Sequence, residues 1–279
     1  MKKINDTFRK NFLKVLLLTI VLAGFASCDN DDKEDTNSKT FVLVHGSWQA
    51  SFVWDEVKQQ LEKEGHHVIA VELQAHGQDK SPLSEATLEN YVNRVKAAIS
   101  KVDGKVILVG HSLGGAIITQ TATQVPDKIE KLVYIAGFIP GNGKSLFDLS
   151  STDSGSDIMP PAIEFSADMT TANFSNPEVN IPKIFCHDCS EEQKALLVKN
   201  LIAEPIGPHG TPLKYDPAVF AKLDKYYIYT TEDHAISYAF QQKMVQEAGV
   251  TKTFTIKSSH SPFLSKPNEV SSILNNLTK

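Results

Sequence analysis

Val106-Ile-Leu-Val-Gly-His-Ser-Leu-Gly-Gly115 decides the fold of this chain. Four consecutive apolar residues, Val106 to Val109, read as a strand buried on both faces, and a helix-like run begins at Gly115. Between them lies Gly110-His-Ser-Leu-Gly114, a G-x-S-x-G pattern in the strand-turn-helix context that gives it chemical meaning. A serine at such a turn takes a strained backbone conformation. Glycines two residues to either side let neighbouring segments approach without a clashing Cβ, and the serine oxygen is pushed into the open. Ser112 is the candidate nucleophile.

Working outward, the strand-like runs are Thr40 to Val44, His67 to Glu72, Lys105 to Val109, Lys131 to Ile135, Lys225 to Thr230 and Thr251 to Ile256. They alternate with helical patterns near Trp54 to Lys63, Leu88 to Lys101, Ser112 to Gln124, Ser237 to Glu247 and Pro267 to Leu277. Strand alternating with helix predicts a mostly parallel central sheet of about six strands covered on both faces, with the site at the strands' carboxyl ends. A serine nucleophile then needs an acid and a histidine, each just past a later strand. The fifth strand runs into Thr231-Glu-Asp-His234, and the sixth into Lys257-Ser-Ser-His260. Asp233 is assigned as the acid, with Glu232 and Asp224 as nearby competitors, and His260 as the base. The first strand ends in His45-Gly-Ser-Trp48, where the Ser47 amide pairs with the Leu113 amide as expected oxyanion donors and Gly46 and Trp48 complete the loop. His45, ending a buried strand, is expected to hold this loop by hydrogen bonding.

His45-Gly-Ser-Trp48, the Trp54 that follows, Gly110-His-Ser-Leu-Gly-Gly115, the Thr231-Glu-Asp233 turn and His260 together resemble the α/β-hydrolase superfamily. They resemble in particular its branch of plant methylesterases, salicylate-ester hydrolases, hydroxynitrile lyases and related bacterial esterases. The resemblance runs from about Thr40 to the C-terminus. It implies an α/β-hydrolase fold with an inserted helical cap, and serine-dependent hydrolysis of small, partly aromatic or methyl esters without a cofactor. In the lyases of that branch, a threonine follows the first-strand histidine and a lysine follows the catalytic one. Here those positions are Gly46 and Ser261, which favours ester hydrolysis over cyanohydrin cleavage. A hydrolase-like binding protein with slow turnover is the other alternative.

Between about 138 and 224 the alternation stops and prolines accumulate, which marks the cap. A helix is predicted there over Glu191 to Ile202. Phe138, Phe147, Met159, Phe165, Met169 and Phe174 are candidate pocket residues, although apolar cap residues also pack against one another. Cys186-His-Asp-Cys189 could close a short disulfide or remain two thiols; no second ligand pair lies near enough in sequence to suggest a metal.

The amino terminus carries Lys2, Lys3, Arg9, Lys10 and Lys14 before an uncharged run from Val15 to Ser27, the pattern of a signal peptide over 1–27. Small residues before Cys28 resemble a lipoprotein cleavage site, which implies export and a membrane anchor through lipid on Cys28, on the periplasmic or cell-surface side. Cleavage near Ala26 is the alternative. Residues 28–39 are acidic and lack the apolar side chains that folding requires, and read as a solvated tether before a domain over 40–279. Loss of residues 1–27 removes five basic residues and one acidic one, moving the net charge from −5 to −9. Such a balance, without a basic stripe, does not suit nucleic acid.

Overall fold

The computed structural model describes residues 38–279; the expected signal peptide, Cys28 and the expected tether as far as Asn37 lie outside the described residues. Six parallel strands form the central sheet: β1 (Thr40–Val44), β2 (His67–Val71), β3 (Val106–His111), β4 (Ile129–Ile135), and, after a long insertion, β8 (Lys225–Thr230) and β9 (Lys252–Ile256). Their order is β2-β1-β3-β4-β8-β9. Chain direction across the sheet reverses between β1 and β3, so the loops leaving these neighbouring strands part and open a crevice at their carboxyl ends. Each strand lies within two residues of its predicted span. The differences of two residues are at the end of β3, which runs on to His111, and at the start of β4, which begins at Ile129 through a register shift opposite Val106 and Ile107.

The alternation of side chains along β1, β3 and β4 builds two cores. Val42, Val44, Leu108, Leu132 and Tyr134 face one side, where α2 (Leu88–Ile99), α3 (Leu113–Gln124) and α9 (Tyr238–Glu247) add Tyr91, Val95, Ile117 and Met244. Phe41, Leu43, Ile107, Val109 and Val133 face the other, against Trp54, α1 (Asp55–Lys63) and α11 (Pro267–Asn276). Sandwiched between strand and cap, α3 is buried from Leu113 to Ala122. Its first turn can sit against β1 only because Gly114 lacks a side chain: a Cβ there would lie 2.6 Å from the Val44 carbonyl oxygen.

The insertion between β4 and β8 differs from the helical cap expected. It carries the helices α4 (Leu146–Ser150), α5 (Pro177–Phe185), α6 (Glu191–Lys199), α7 (Gly207–Gly210) and α8 (Pro217–Lys222). It also carries an antiparallel sheet of β5 (Ile163–Phe165), β6 (Thr171–Phe174) and β7 (Glu204–Pro205). Strands of three, four and two residues are too short to show a period in sequence, and the proline in β7 argues against a strand on its face. The predicted cap helix is present as α6, opened by a capping box between Ser190 and Gln193 and ending three residues earlier than expected. Cys186 and Cys189 are joined as a disulfide at the end of α5. Gly114→Ala forces backbone against backbone and is expected to cost about 1–3 kcal/mol, read as a lowered melting midpoint with the same circular dichroism spectrum.

Candidate active site

Ser112 occupies the turn from β3 into α3 with φ 52° and ψ −122°, a conformation rare for a residue with a Cβ and therefore imposed by its surroundings. Gly46 forms part of that constraint. Its missing side chain lets the loop after β1 lie directly on the turn, since a Cβ would stand 2.7 Å from Ser112 Cβ and 2.9 Å from His111 Nδ1. His111 closes the other side: its Nε2 lies 2.9 Å from the His260 carbonyl oxygen and, as a neutral ring, donates there. Burial, reinforced by neighbouring His260, holds His111 well below its ordinary range.

His260, in the loop after β9, presents Nδ1 to Asp233 Oδ2 at 2.8 Å. The carboxylate is fully occupied. Oδ2 also accepts from Thr230 Oγ1 at 2.7 Å and Gln241 Nε2 at 3.2 Å, while Oδ1 accepts from the Ala235 and Ile236 amides at 2.7 and 2.8 Å. Such donors hold the carboxylate in one orientation toward the His260 ring. The competitors are elsewhere. Glu232 faces Lys257 and His187, and Asp224 pairs with Lys252 at the opposite end of β8. With Nδ1–H given to Asp233, the lone pair on His260 resides on Nε2, which is buried without a hydrogen-bond partner among the described residues. No bond joins it to Ser112 Oγ in this structure. Phe185 stacks on the His260 ring from the cap at 5.2 Å, and His111 lies against it at 4.4 Å.

The expected oxyanion loop is organised from behind. His45 Nδ1 lies 2.9 Å from the Gly46 carbonyl oxygen, and its Nε2 accepts the Leu73 amide at 3.3 Å, which fixes the proton on Nδ1. The Gly46 carbonyl and the Ser47 amide belong to one peptide plane and point in opposite directions, so anchoring the carbonyl aims the amide. His45 is therefore the structural residue expected. Burial, followed by the neighbouring His76 cation, pushes its pKa down to about 3. The Leu113 amide sits at the open first turn of α3, where an intrahelical partner is impossible. Among the described residues neither the Ser47 nor the Leu113 amide donates to another group.

A cavity of about 370 Å³ opens over Ser112. Ser47 and Trp48 from the loop, with Phe138, Phe147, Met159, Phe165 and Met169 from the insertion, contribute to its lining. Five of the six candidate pocket residues thus reach it. Phe174 instead packs its ring against Trp48 at 4.9 Å.

Sequence reasoning missed the group beneath this wall. Glu204 of β7 is fully buried, its Oε2 accepting the Trp48 amide at 2.6 Å and lying 3.2 Å from His76 Nε2. His76 Nδ1 lies 2.9 Å from the Gln74 carbonyl oxygen. Facing two acceptors, His76 carries both protons and is a cation paired with the Glu204 anion. His209, stacked on Phe147, contacts Ser47 Oγ at 2.8 Å. An isolated glutamate before a proline in an irregular cap gives no sequence signal of this role.

The pair also makes a pH prediction. Burial opposes both charges, yet Glu204 holds His76 above its ordinary 6.5, and His76 holds Glu204 below 4.5. The histidine's contribution to stability is complete below about pH 6.5 and fades as pH rises through its raised value; the glutamate's is complete above about pH 4.5 and fades as pH falls. The difference in melting midpoint between wild type and Glu204→Gln is therefore expected to be widest between these values, and narrower at about pH 9.

Comparison with known proteins agrees with this architecture. The chain is 31% identical over 252 residues to a chloroplastic protein of Arabidopsis thaliana provisionally named methylesterase 11, covering 86% of this chain but only 64% of that one. It is 32% identical over 253 residues to salicylic acid-binding protein 2 of Nicotiana tabacum, covering 83% and 94% of the two chains. The crystal structure of polyneuridine aldehyde esterase superposes with a TM-score of 0.79 at 26% identity, over 87% of this chain and all of the other. Residues 41–273 match the model of the alpha/beta hydrolase family, and the chain belongs to that family.

Proposed function

We propose that this protein is a serine carboxylic-ester hydrolase acting on small, aromatic or methyl esters. The observation that carries the reading is the His260 pair: Nδ1 engaged by Asp233 at 2.8 Å and Nε2 left free and buried, beside the strained serine of the G-x-S-x-G turn. In the proposed cycle Nε2 takes the Ser112 proton as Oγ attacks the ester carbonyl. The Ser47 and Leu113 amides receive the developing oxyanion, and Asp233 stabilises the imidazolium. His260 returns the proton to the leaving alcohol. Water deprotonated by the same histidine then releases the acid and restores Ser112. The serine–histidine hydrogen bond forms when substrate fills the cavity, as such contacts often tighten only in the complex.

A largely apolar cavity of about 370 Å³ suits a small ester, and relatives named for methylesterase activity and salicylic acid binding support that class. Cyanohydrin cleavage is not favoured. Gly46 offers no hydroxyl, and the position after His260 is Ser261, buried and accepting from Gln49 Nε2 at 3.1 Å. A slow-turnover binding protein would show one burst of product per Ser112 and then stall.

A panel of short p-nitrophenyl and methyl aryl esters tests the reading. Steady turnover is expected in the wild type. Ser112→Ala should lower kcat by about 10⁶-fold, and Asp233→Asn, which leaves the wrong tautomer, by about 10⁴-fold. Unimpaired hydrolysis by Ser112→Ala would sink the assignment.

Export and anchoring are proposed on the sequence of the leader alone. A basic segment, a short uncharged run and small residues before Cys28 support lipid attachment there, at about 0.8 kcal/mol per buried methylene. Cys28→Ser is expected to move the protein from the membrane fraction to the soluble one and to abolish incorporation of labelled palmitate. Retention with no lipid would refute it.

A further inference from the structure

We propose that Glu204 is a positioning residue of the reaction: a carboxylate carried by the cap that sets the conformation of the oxyanion loop. The proposal rests on the esterase reading above. Trp48 has φ 57°, a left-handed conformation unfavourable for a bulky residue, so something must hold the chain there. Glu204 Oε2 does so, accepting the Trp48 amide at 2.6 Å inside the protein, where a charge-assisted bond is strong. The contact lies one residue past the Ser47 amide expected to receive the oxyanion. His45 fixes the peptide on one side of Ser47 through the Gly46 carbonyl, and Glu204 fixes the peptide on the other through Trp48. His209, five residues beyond Glu204 on the same cap segment, holds the Ser47 side chain at 2.8 Å.

A carboxylate this near a developing oxyanion would oppose it unless neutralised. His76 supplies the opposite charge: its Nδ1 is turned to the Gln74 carbonyl and its Nε2 to Glu204, so the oxyanion forms beside a neutral pair. The remaining oxygen, Oε1, is buried with no hydrogen bond among the described residues and stands 3.7 Å from His209 Nε2. A glutamine here can still accept from Trp48, but only as a neutral acceptor. It also turns an N–H toward His209, where it competes with the Ser47 hydroxyl. The carboxylate is therefore matched to Trp48 and His76 in a way that its isostere is not.

The test compares wild type with Glu204→Gln in three measurements on the full chain: ester hydrolysis, capture by an aryl trifluoromethyl ketone, and binding of the corresponding alcohol. The ketone is attacked by Ser112 Oγ, and its carbonyl oxygen becomes the oxyanion. The alcohol makes no such bond. Glu204→Gln should lower kcat about tenfold and weaken the ketone by a similar factor, while KM and the alcohol's affinity change by less than about twofold. Unchanged kcat and ketone affinity would overturn the proposal, whatever the loss in melting midpoint. So would equal weakening of ketone and alcohol, which would indicate a general binding role. A wild type that neither hydrolyses esters nor captures the ketone would instead refute the esterase reading itself, before any variant is considered. If Glu204→Gln fails to fold, Glu204→Asp keeps the charge opposite His76 but withdraws it from Trp48. The same split between kcat and KM is expected, and full kcat would refute the role.

Discussion

The close approach of Gly46 to the Ser112 turn is the constraint on which the rest of the site depends. Two loops leave neighbouring parallel strands and must lie against each other within van der Waals contact, one bringing the serine and the other the Ser47 amide. A single methyl group at position 46 would collide with the Ser112 side chain itself, and one at Gly114 with the β1 backbone. The strained backbone of Ser112 persists because these contacts, with the burial of α3, leave it no relaxed alternative. Strand order supplies the place, and the absence of side chains supplies the distance.

Two buried carboxylate–histidine pairs flank this centre. Asp233 with His260 stands at the proposed path of the proton, while Glu204 with His76 lies behind the loop that carries the Ser47 amide. Burial alone would neutralise Glu204 and His76. Asp233 is held by four donors, and His76 by two acceptors. The neutral histidines, His45 and His111, carry out different work. Each gives one proton to a backbone carbonyl, joining β1 and β3 to the loops beside them. The ring protons of His45, His76 and His111 are thus placed by what each nitrogen faces.

Much of this was legible in the sequence because it is encoded locally. The apolar strands, the G-x-S-x-G turn and the two strand-end loops carrying Asp233 and His260 each leave a pattern within ten residues, and the structure brings them to one crevice. Gln241 and Glu204 are different. Gln241 reaches Asp233 from a helix whose pattern shows only which face is buried, and Glu204 meets Trp48 across 156 residues of chain. Contacts of that separation are created by the tertiary fold. The small sheet of the cap was missed for a related reason: its strands are defined by their partners and not by their own periodicity.

The cap's contribution is unevenly divided along its length, which has a bearing on how such proteins acquire new specificities. The stretch from Phe147 to Met169 lines the cavity, and its Asp153, Ser156 and Asp157 are hydrogen-bonded to the loop that follows Asp233. The stretch from Phe185 to His209 presses on the His260 ring, grips Trp48 and touches Ser47. The apolar side chains of the first can drift, exchanging one set for another and with it the ester admitted, so long as Asp153, Ser156 and Asp157 keep their hold on the loop after Asp233. The second is tied to the reaction centre, so a graft that replaced the whole insertion would import a foreign support for the oxyanion along with the desired pocket. A workable exchange would end before Thr171 and leave β6 and β7 paired.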